Sequence, residues 1–127
     1  MSSNILNTAE EYLNAWSRKD VEAISKYLDP NIRFVGPMMQ TTGKEAFLEG
    51  ARRVLGLLKE IKLRAKFAAG EQALLTYDFI CAEPIGNCRT AELITFKNGL
   101  ISGVELFFDA RPFEKMRQEQ KRELKTA

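Results

Sequence analysis

Apolar positions in the first half of the chain recur with the period of a helix. Ile5, Ala9, Tyr12, Leu13 and Trp16 share one face, which predicts an amphipathic helix over residues 5–18. Two residues can cap its start: Asn4, or Thr8 with Glu11 three positions on. Asp20 reads as the N-cap of a second, short helix over residues 21–28, with Val21, Ile24 and Leu28 inward. Asp29-Pro30-Asn31 ends it, because the residue before a proline is pushed out of the helical region. Residues 32–35 read as a short strand closed by Gly36-Pro37. Thr42 and Glu45 have the spacing of a capping box for a third helix, whose stripe is Phe47, Ala51, Val54, Leu55 and Leu58.

Beyond residue 60 the period shortens to two. Residues 61–68 alternate apolar with basic side chains, as on a strand with one face in solvent. Three further apolar runs follow, over residues 73–81, 89–96 and 101–109, separated by the turn sequences EPIGN and KNG. The order is α-α-β-α-β-β-β-β. Helices first and a mainly antiparallel sheet last predict an α+β domain over residues 1–113, with the helices covering one face of the sheet. Residues 114–127 stand apart as a charged tail or helix, in which Phe113, Met116, Gln120 and Leu124 make only a thin apolar seam.

Charge changes this picture little. The tail holds five basic and three acidic side chains, which leaves the body of the chain balanced and accounts for the net charge of +2. No electrostatic footprint for nucleic acid or for an anionic membrane surface is present, and no apolar run approaches the ~20 residues needed to span a bilayer. At 127 residues a single core can form without disulfide or metal. Acidic residues where an export signal would be apolar, with only two cysteines, set a cytoplasmic expectation. Cys81 and Cys88 read as small buried apolar residues, and no cofactor or metal is expected. The chain has no histidine. Acid–base chemistry near neutral pH must therefore come from Asp or Glu with a raised pKa, or from Lys, Tyr or Cys with a lowered one.

From AEEYLNAWSRKDVEAISKYLDPNIRFVG through TTGKEAF to AELITFKNGLISGVELFFDARPF, the chain resembles the SnoaL-like branch of the nuclear transport factor 2-like superfamily. That superfamily includes ketosteroid isomerases, polyketide cyclases, epoxide hydrolases, dehydratases and non-enzymatic binding modules. The resemblance implies a cone in which three N-terminal helices pack on a curved sheet around an apolar pocket. It also implies a homodimer paired through the outer face of the sheet.

The same resemblance sets expectations for individual residues. Tyr12 and Glu92 fall where ketosteroid isomerases carry the Tyr and the protonated Asp of their oxyanion hole, whereas Gly36 stands where their catalytic base would be. Trp16, Phe34, Met38, Met39, Phe47, Leu58, Ile94 and Phe108 are expected on the pocket wall, with Met38 and Met39 at its mouth.

Asp78 depends on hairpin register. With Cys81 opposite Cys88, Tyr77 faces Glu92 and Asp78 points away; with Ala82 opposite Cys88, Asp78 faces Glu92. Apolar alternation favours Leu75, Tyr77 and Phe79 inward. Counting from Gly70 by the isomerase comparison puts Leu74, Thr76 and Asp78 on the pocket side, and Asp78 is expected there. Asp109 reads as a partner for Arg111 or a turn amide.

Two functions are thereby set side by side. One is a cofactor-free acid–base enzyme acting on a small, cyclic, carbonyl-bearing molecule, with Asp78 and Glu92 as its pair and Tyr12 as a donor. The other is a non-catalytic dimeric module that binds an apolar ligand.

Overall fold

The computed structural model describes residues 2–126. Helix α1 (Ser2–Ser17) turns its Ala9–Tyr12–Leu13 stripe fully inward. Neither expected cap forms at its start. The helix already runs at residue 2, and the Thr8 hydroxyl donates back to the Asn4 carbonyl oxygen at 2.8 Å. Helix α2 (Val21–Lys26) is capped as expected: Asp20 accepts from the Ala23 amide at 3.0 Å. It ends two residues early, because Leu28 is buried as the first residue of β1 (Leu28–Val35).

A strand absent from the sequence expectation follows, β2 (Gln40–Thr42), formed when the chain turns at residues 36–39 and pairs back on β1. Thr42 is therefore a strand residue and caps nothing. Helix α3 (Lys44–Leu55) starts after Gly43, whose φ of 98° suits glycine, without a side-chain cap. Gly56 ends α3, so Leu58 opens β3 (Leu58–Ala69) instead of extending the helical stripe.

Strands β4 (Gln72–Cys81), β5 (Asn87–Lys97) and β6 (Leu100–Phe107) complete one six-stranded sheet in the order β2-β1-β6-β5-β4-β3. All pairings are antiparallel except β1 with β6. The β5–β6 turn carries Asn98 and Gly99 with φ of 53° and 81°, the backbone that a two-residue hairpin turn requires. Register shifts at Leu63/Ala65 and Thr95/Phe96 mark bulges, which bend the strands that carry them. Helix α4 (Arg111–Thr126) follows and packs on the core through Phe113 and Met116. This single helix spans the point, between residues 113 and 114, at which composition sets the tail apart.

Strict alternation on β4 and β5 sorts the sheet into two faces. Ala73, Leu75, Tyr77, Phe79 and Cys81 point inward from β4, and the even positions from Cys88 to Phe96 point inward from β5. α1 packs on β3 and β4, and α3 on β1. Among the described residues no helix is long and apolar enough to cross a membrane.

Candidate functional site

A cavity of about 180 Å³ remains between the helices and the inner face of the sheet. Helical spacing puts Tyr12 and Trp16 one turn apart on α1, and Phe47, Gly50 and Ala51 on the facing side of α3. Strand alternation supplies Phe34 from β1, Tyr77 and Phe79 from β4, and Thr90 and Glu92 from β5. Leu106 from β6, Phe108 just after it and Phe113 from α4 close the far side. Tyr12, Trp16, Phe47 and Phe34 form a continuous row of edge-to-face contacts, with successive ring centroids 6.4, 6.4 and 5.8 Å apart. Phe108 and Phe113 pair in the same manner at 5.6 Å. The turn at residues 36–39 and α3 make the mouth, where Met39 is 43% exposed.

One carboxyl group lies in these apolar surroundings. Glu92 is 4% exposed, and the Tyr77 hydroxyl donates to its Oε1 at 2.7 Å. Burial raises the Glu92 pKa to about 7, against the opposing pull of the Tyr77 hydrogen bond. Burial, then the charge of Glu92, push both Tyr12 and Tyr77 well above the ordinary phenol value. Both phenols therefore stay protonated and can donate. Tyr12 Oη is buried, with the Trp16 indole acting on it only as a donor and no acceptor for its own proton, and Thr41 Oγ1 on the cavity wall is unpaired. A buried hydroxyl left unpaired costs ~1–3 kcal/mol, and a bound acceptor can relieve that cost. Cys88 also borders the cavity, and burial pushes its thiol up; Cys81, buried nearby, is raised to about 11.

Of the residues singled out from sequence, Tyr12, Glu92, Trp16, Phe34, Met38, Met39, Phe47 and Phe108 come together on this wall. Leu58 and Ile94 do not. Leu58 is core at the start of β3, and Ile94 lies fully buried one inward position beyond Glu92.

Asp78 is not in the cavity either. The hairpin pairs Phe79 with Cys88 and Tyr77 with Thr90, a register outside both expected alternatives, because the connection between the strands occupies residues 82–86. Phe79 shares the face of Cys81, so the inward set is Leu75, Tyr77 and Phe79. Asp78 points to the outer face, where Arg64 Nη1 lies 3.5 Å from its Oδ2. The opposite register would bury an unpaired carboxylate and expose two aromatic rings, a difference of several kcal/mol. Asp109 also lies outside, held by Arg111 through bonds of 2.7–3.1 Å that keep its carboxyl near pKa 2.

Among the described residues no second carboxylate lines the cavity. Gly36 borders the cavity without a side chain, and a Cβ there would meet the tip of the Phe34 ring at 3.1 Å. Among the described residues no three His, Cys, Asp or Glu side chains form a metal-binding group. One of the two registers weighed from sequence sets Tyr77 against Glu92, and the Leu75–Tyr77–Phe79 alternation is the signal that favours that inward set over Asp78.

A sequence profile of the SnoaL-like domain matches residues 9–104. The chain belongs to the SnoaL-like domain family. Comparison with curated protein sequences finds no significant match. Among solved structures, this SnoaL-like chain is similar to a protein from Kribbella flavida DSM 17836, with 26% identity and a TM-score of 0.83 over 92% of this chain and 96% of that one. A nuclear transport factor 2-like protein of unknown function from Cytophaga hutchinsonii has 23% identity and a TM-score of 0.75 over 86% and 93% of the two chains. A steroid delta-isomerase from Pseudomonas aeruginosa has 19% identity and a TM-score of 0.76 over 99% and 95%. Structures of this fold include proteins described as isomerases, a polyketide cyclase and an epoxide hydrolase. The α+β nuclear transport factor 2-like fold is thereby shown, and the fold does not select among these activities.

Proposed function

We propose that this SnoaL-like protein binds a small, uncharged ring compound through a carbonyl oxygen, with Glu92 and Tyr12 as the donors. Glu92 in its protonated form donates one hydrogen bond, and the Tyr12 hydroxyl, whose proton has no acceptor in the protein, donates a second. The observation that carries this reading is the Tyr77–Glu92 pair, a carboxyl group buried in an aromatic cavity and titrating near neutral pH. Two donors converging on one carbonyl polarise it and stabilise charge that develops on its oxygen. An apolar cavity of about 150 Å³ accommodates benzene. About 180 Å³ therefore suits one substituted ring or two small fused rings, and is too small to enclose a four-ring steroid.

Among the described residues on the wall, Glu92 is the one group suited to carrying a proton near neutral pH. While it donates to the carbonyl oxygen the adjacent C–H proton goes to solvent water, so chemistry here is confined to acid-assisted enolisation with solvent as the base. The non-catalytic reading has its own support, since Gly36 carries no side chain and, among the described residues, no second carboxylate lines the cavity. Trp16 lies at the cavity, and its fluorescence reports occupancy. A fused-ring ketone such as 1-tetralone should shift that fluorescence saturably, with affinity lost in Glu92→Gln. Deuterium uptake next to the bound carbonyl, measured by proton NMR, then separates the two readings. Uptake abolished in Glu92→Gln marks an enzyme-type site, and binding without uptake marks a module. No saturable change refutes the ligand reading.

Two copies are proposed to pair through the outer face of the sheet. Phe67, Leu74 and Leu93 lie on one rung of that face, with Ala91 and Phe107 on another, and Phe67 and Phe107 are 62% and 49% exposed. Light scattering should give twice the 14.4 kDa chain mass, reduced to one chain by Phe67→Glu. A wild-type monomer contradicts the pairing.

A further inference from the structure

Among the described residues Glu92 has no counter-charge: no lysine or arginine of theirs lines the cavity, and the one side-chain hydrogen bond they make to the Glu92 carboxyl comes from a neutral phenol. Ionised, such a carboxylate lacks the partner that normally offsets its loss of water. The rings around it supply a second element. Tyr12, Trp16, Phe47 and Phe34 stand in one row, with Tyr77 and Phe79 facing them from the sheet. Aromatic faces attract an ammonium group, more strongly where water is excluded. An anion finds nothing on this wall to pair with, whereas a cation finds both a carboxylate and ring faces.

We infer that the cavity also binds small organic cations, specifically a protonated amine carried on a single ring, with its ammonium against Glu92 and among the rings of Tyr12, Trp16 and Tyr77. This goes beyond the neutral carbonyl ligand, because the two ligand classes select opposite protonation states of the same carboxyl. A carbonyl oxygen is held by protonated Glu92. An ammonium pairs with the ionised form, so at low pH its binding expels the Glu92 proton to the buffer.

The other titratable groups facing Glu92 do not interfere. They are Tyr12 from α1, Tyr77 from β4 and Cys88 from the same strand, all raised by burial and neutral below pH 8. α3 and β6 present no charged side chain to the cavity.

The test is isothermal calorimetry of the whole protein with benzylamine, and with benzyl alcohol as its uncharged counterpart, at pH 6 and pH 8. With Glu92 titrating at about 7, benzylamine should bind about tenfold more tightly at pH 8 than at pH 6. At pH 6 it should release about 0.9 proton, read from the difference between buffers of unlike ionisation enthalpy. Benzyl alcohol should show no rise with pH, and Glu92→Gln should bind benzylamine no better than the alcohol.

Equal benzylamine affinity at the two pH values, undetectable binding at both, or retained amine affinity in Glu92→Gln overturns the inference. If the variant does not fold, the wild-type affinity ratio and proton release decide alone. Tetralone binding without benzylamine binding removes the cation inference and leaves the carbonyl reading in place.

Discussion

Replacing Glu92 by Gln should make the protein more stable at pH 8 and leave it nearly unchanged at pH 4.5. The substitution keeps the shape of the side chain and an oxygen that can accept from Tyr77, while removing the ionised state. In the folded protein burial holds the Glu92 pKa at about 7, against an ordinary 4.5. The folded state therefore keeps its proton over a range where the unfolded chain has lost it. Stability that is fully present below pH 4.5 declines as pH rises and is lost above 7. At 1.36 kcal/mol per pKa unit the decline amounts to about 3 kcal/mol. For a chain of this length that corresponds to roughly 10 °C in Tm. Urea unfolding of wild type and Glu92→Gln at half-unit steps from pH 4.5 to 8 reads it directly. All other titrating groups are common to both proteins, so the difference between the two curves isolates Glu92. The variant should gain steadily on the wild type between pH 4.5 and 7, then hold a constant lead. Parallel curves across this range would refute the buried, raised carboxyl.

Other substitutions separate the parts of the site. Tyr77→Phe removes the donor that favours ionised Glu92, and should raise the Glu92 midpoint by about one unit in a carboxyl-carbon NMR titration. An unchanged midpoint would mean that the 2.7 Å bond contributes nothing in solution. Tyr12→Phe removes a buried hydroxyl whose proton has no acceptor, so stability should hold or rise by up to ~1–3 kcal/mol while ketone affinity falls about tenfold. A large stability loss with affinity intact would contradict its role as a ligand donor. Asp78→Asn should leave ligand affinity unchanged, since Asp78 lies on the opposite face of the sheet from the cavity, with Oδ2 3.5 Å from Arg64 and Oδ1 buried without a partner. A tenfold loss of affinity would place Asp78 in the cavity after all.

The parts of the fold that were legible in the sequence are those where one periodicity runs uninterrupted. The α1 stripe and the alternations of β4 and β5 each bury a whole set of side chains, so a one-residue slip is costly and the pattern is unambiguous. β2 escaped notice because three residues at a sheet edge carry no periodic signal, and their pairing depends on where the turn at residues 36–39 points. Leu58 was assigned to α3 because helical spacing continues through Gly56, a residue that permits the helix to end without announcing it. The Asp78 expectation failed for a different reason. Counting along a hairpin from a related fold transfers turn length as well as face, and the connection at residues 82–86 does not match. The chain's own alternation held the correct answer there. Tyr12 and Glu92 were found through family resemblance, whereas the bond from Tyr77 needed coordinates, because it joins residues on neighbouring strands offset by one inward position.

The central claim is that Glu92 titrates near neutrality inside a ligand-binding cavity. A carbon-13 NMR titration of its side-chain carboxyl, without ligand and with saturating 1-tetralone, tests this most directly. The account predicts a midpoint near 7 that rises when the ketone accepts a hydrogen bond from the protonated form. A midpoint near the ordinary glutamate value, unmoved by the ketone, would contradict it.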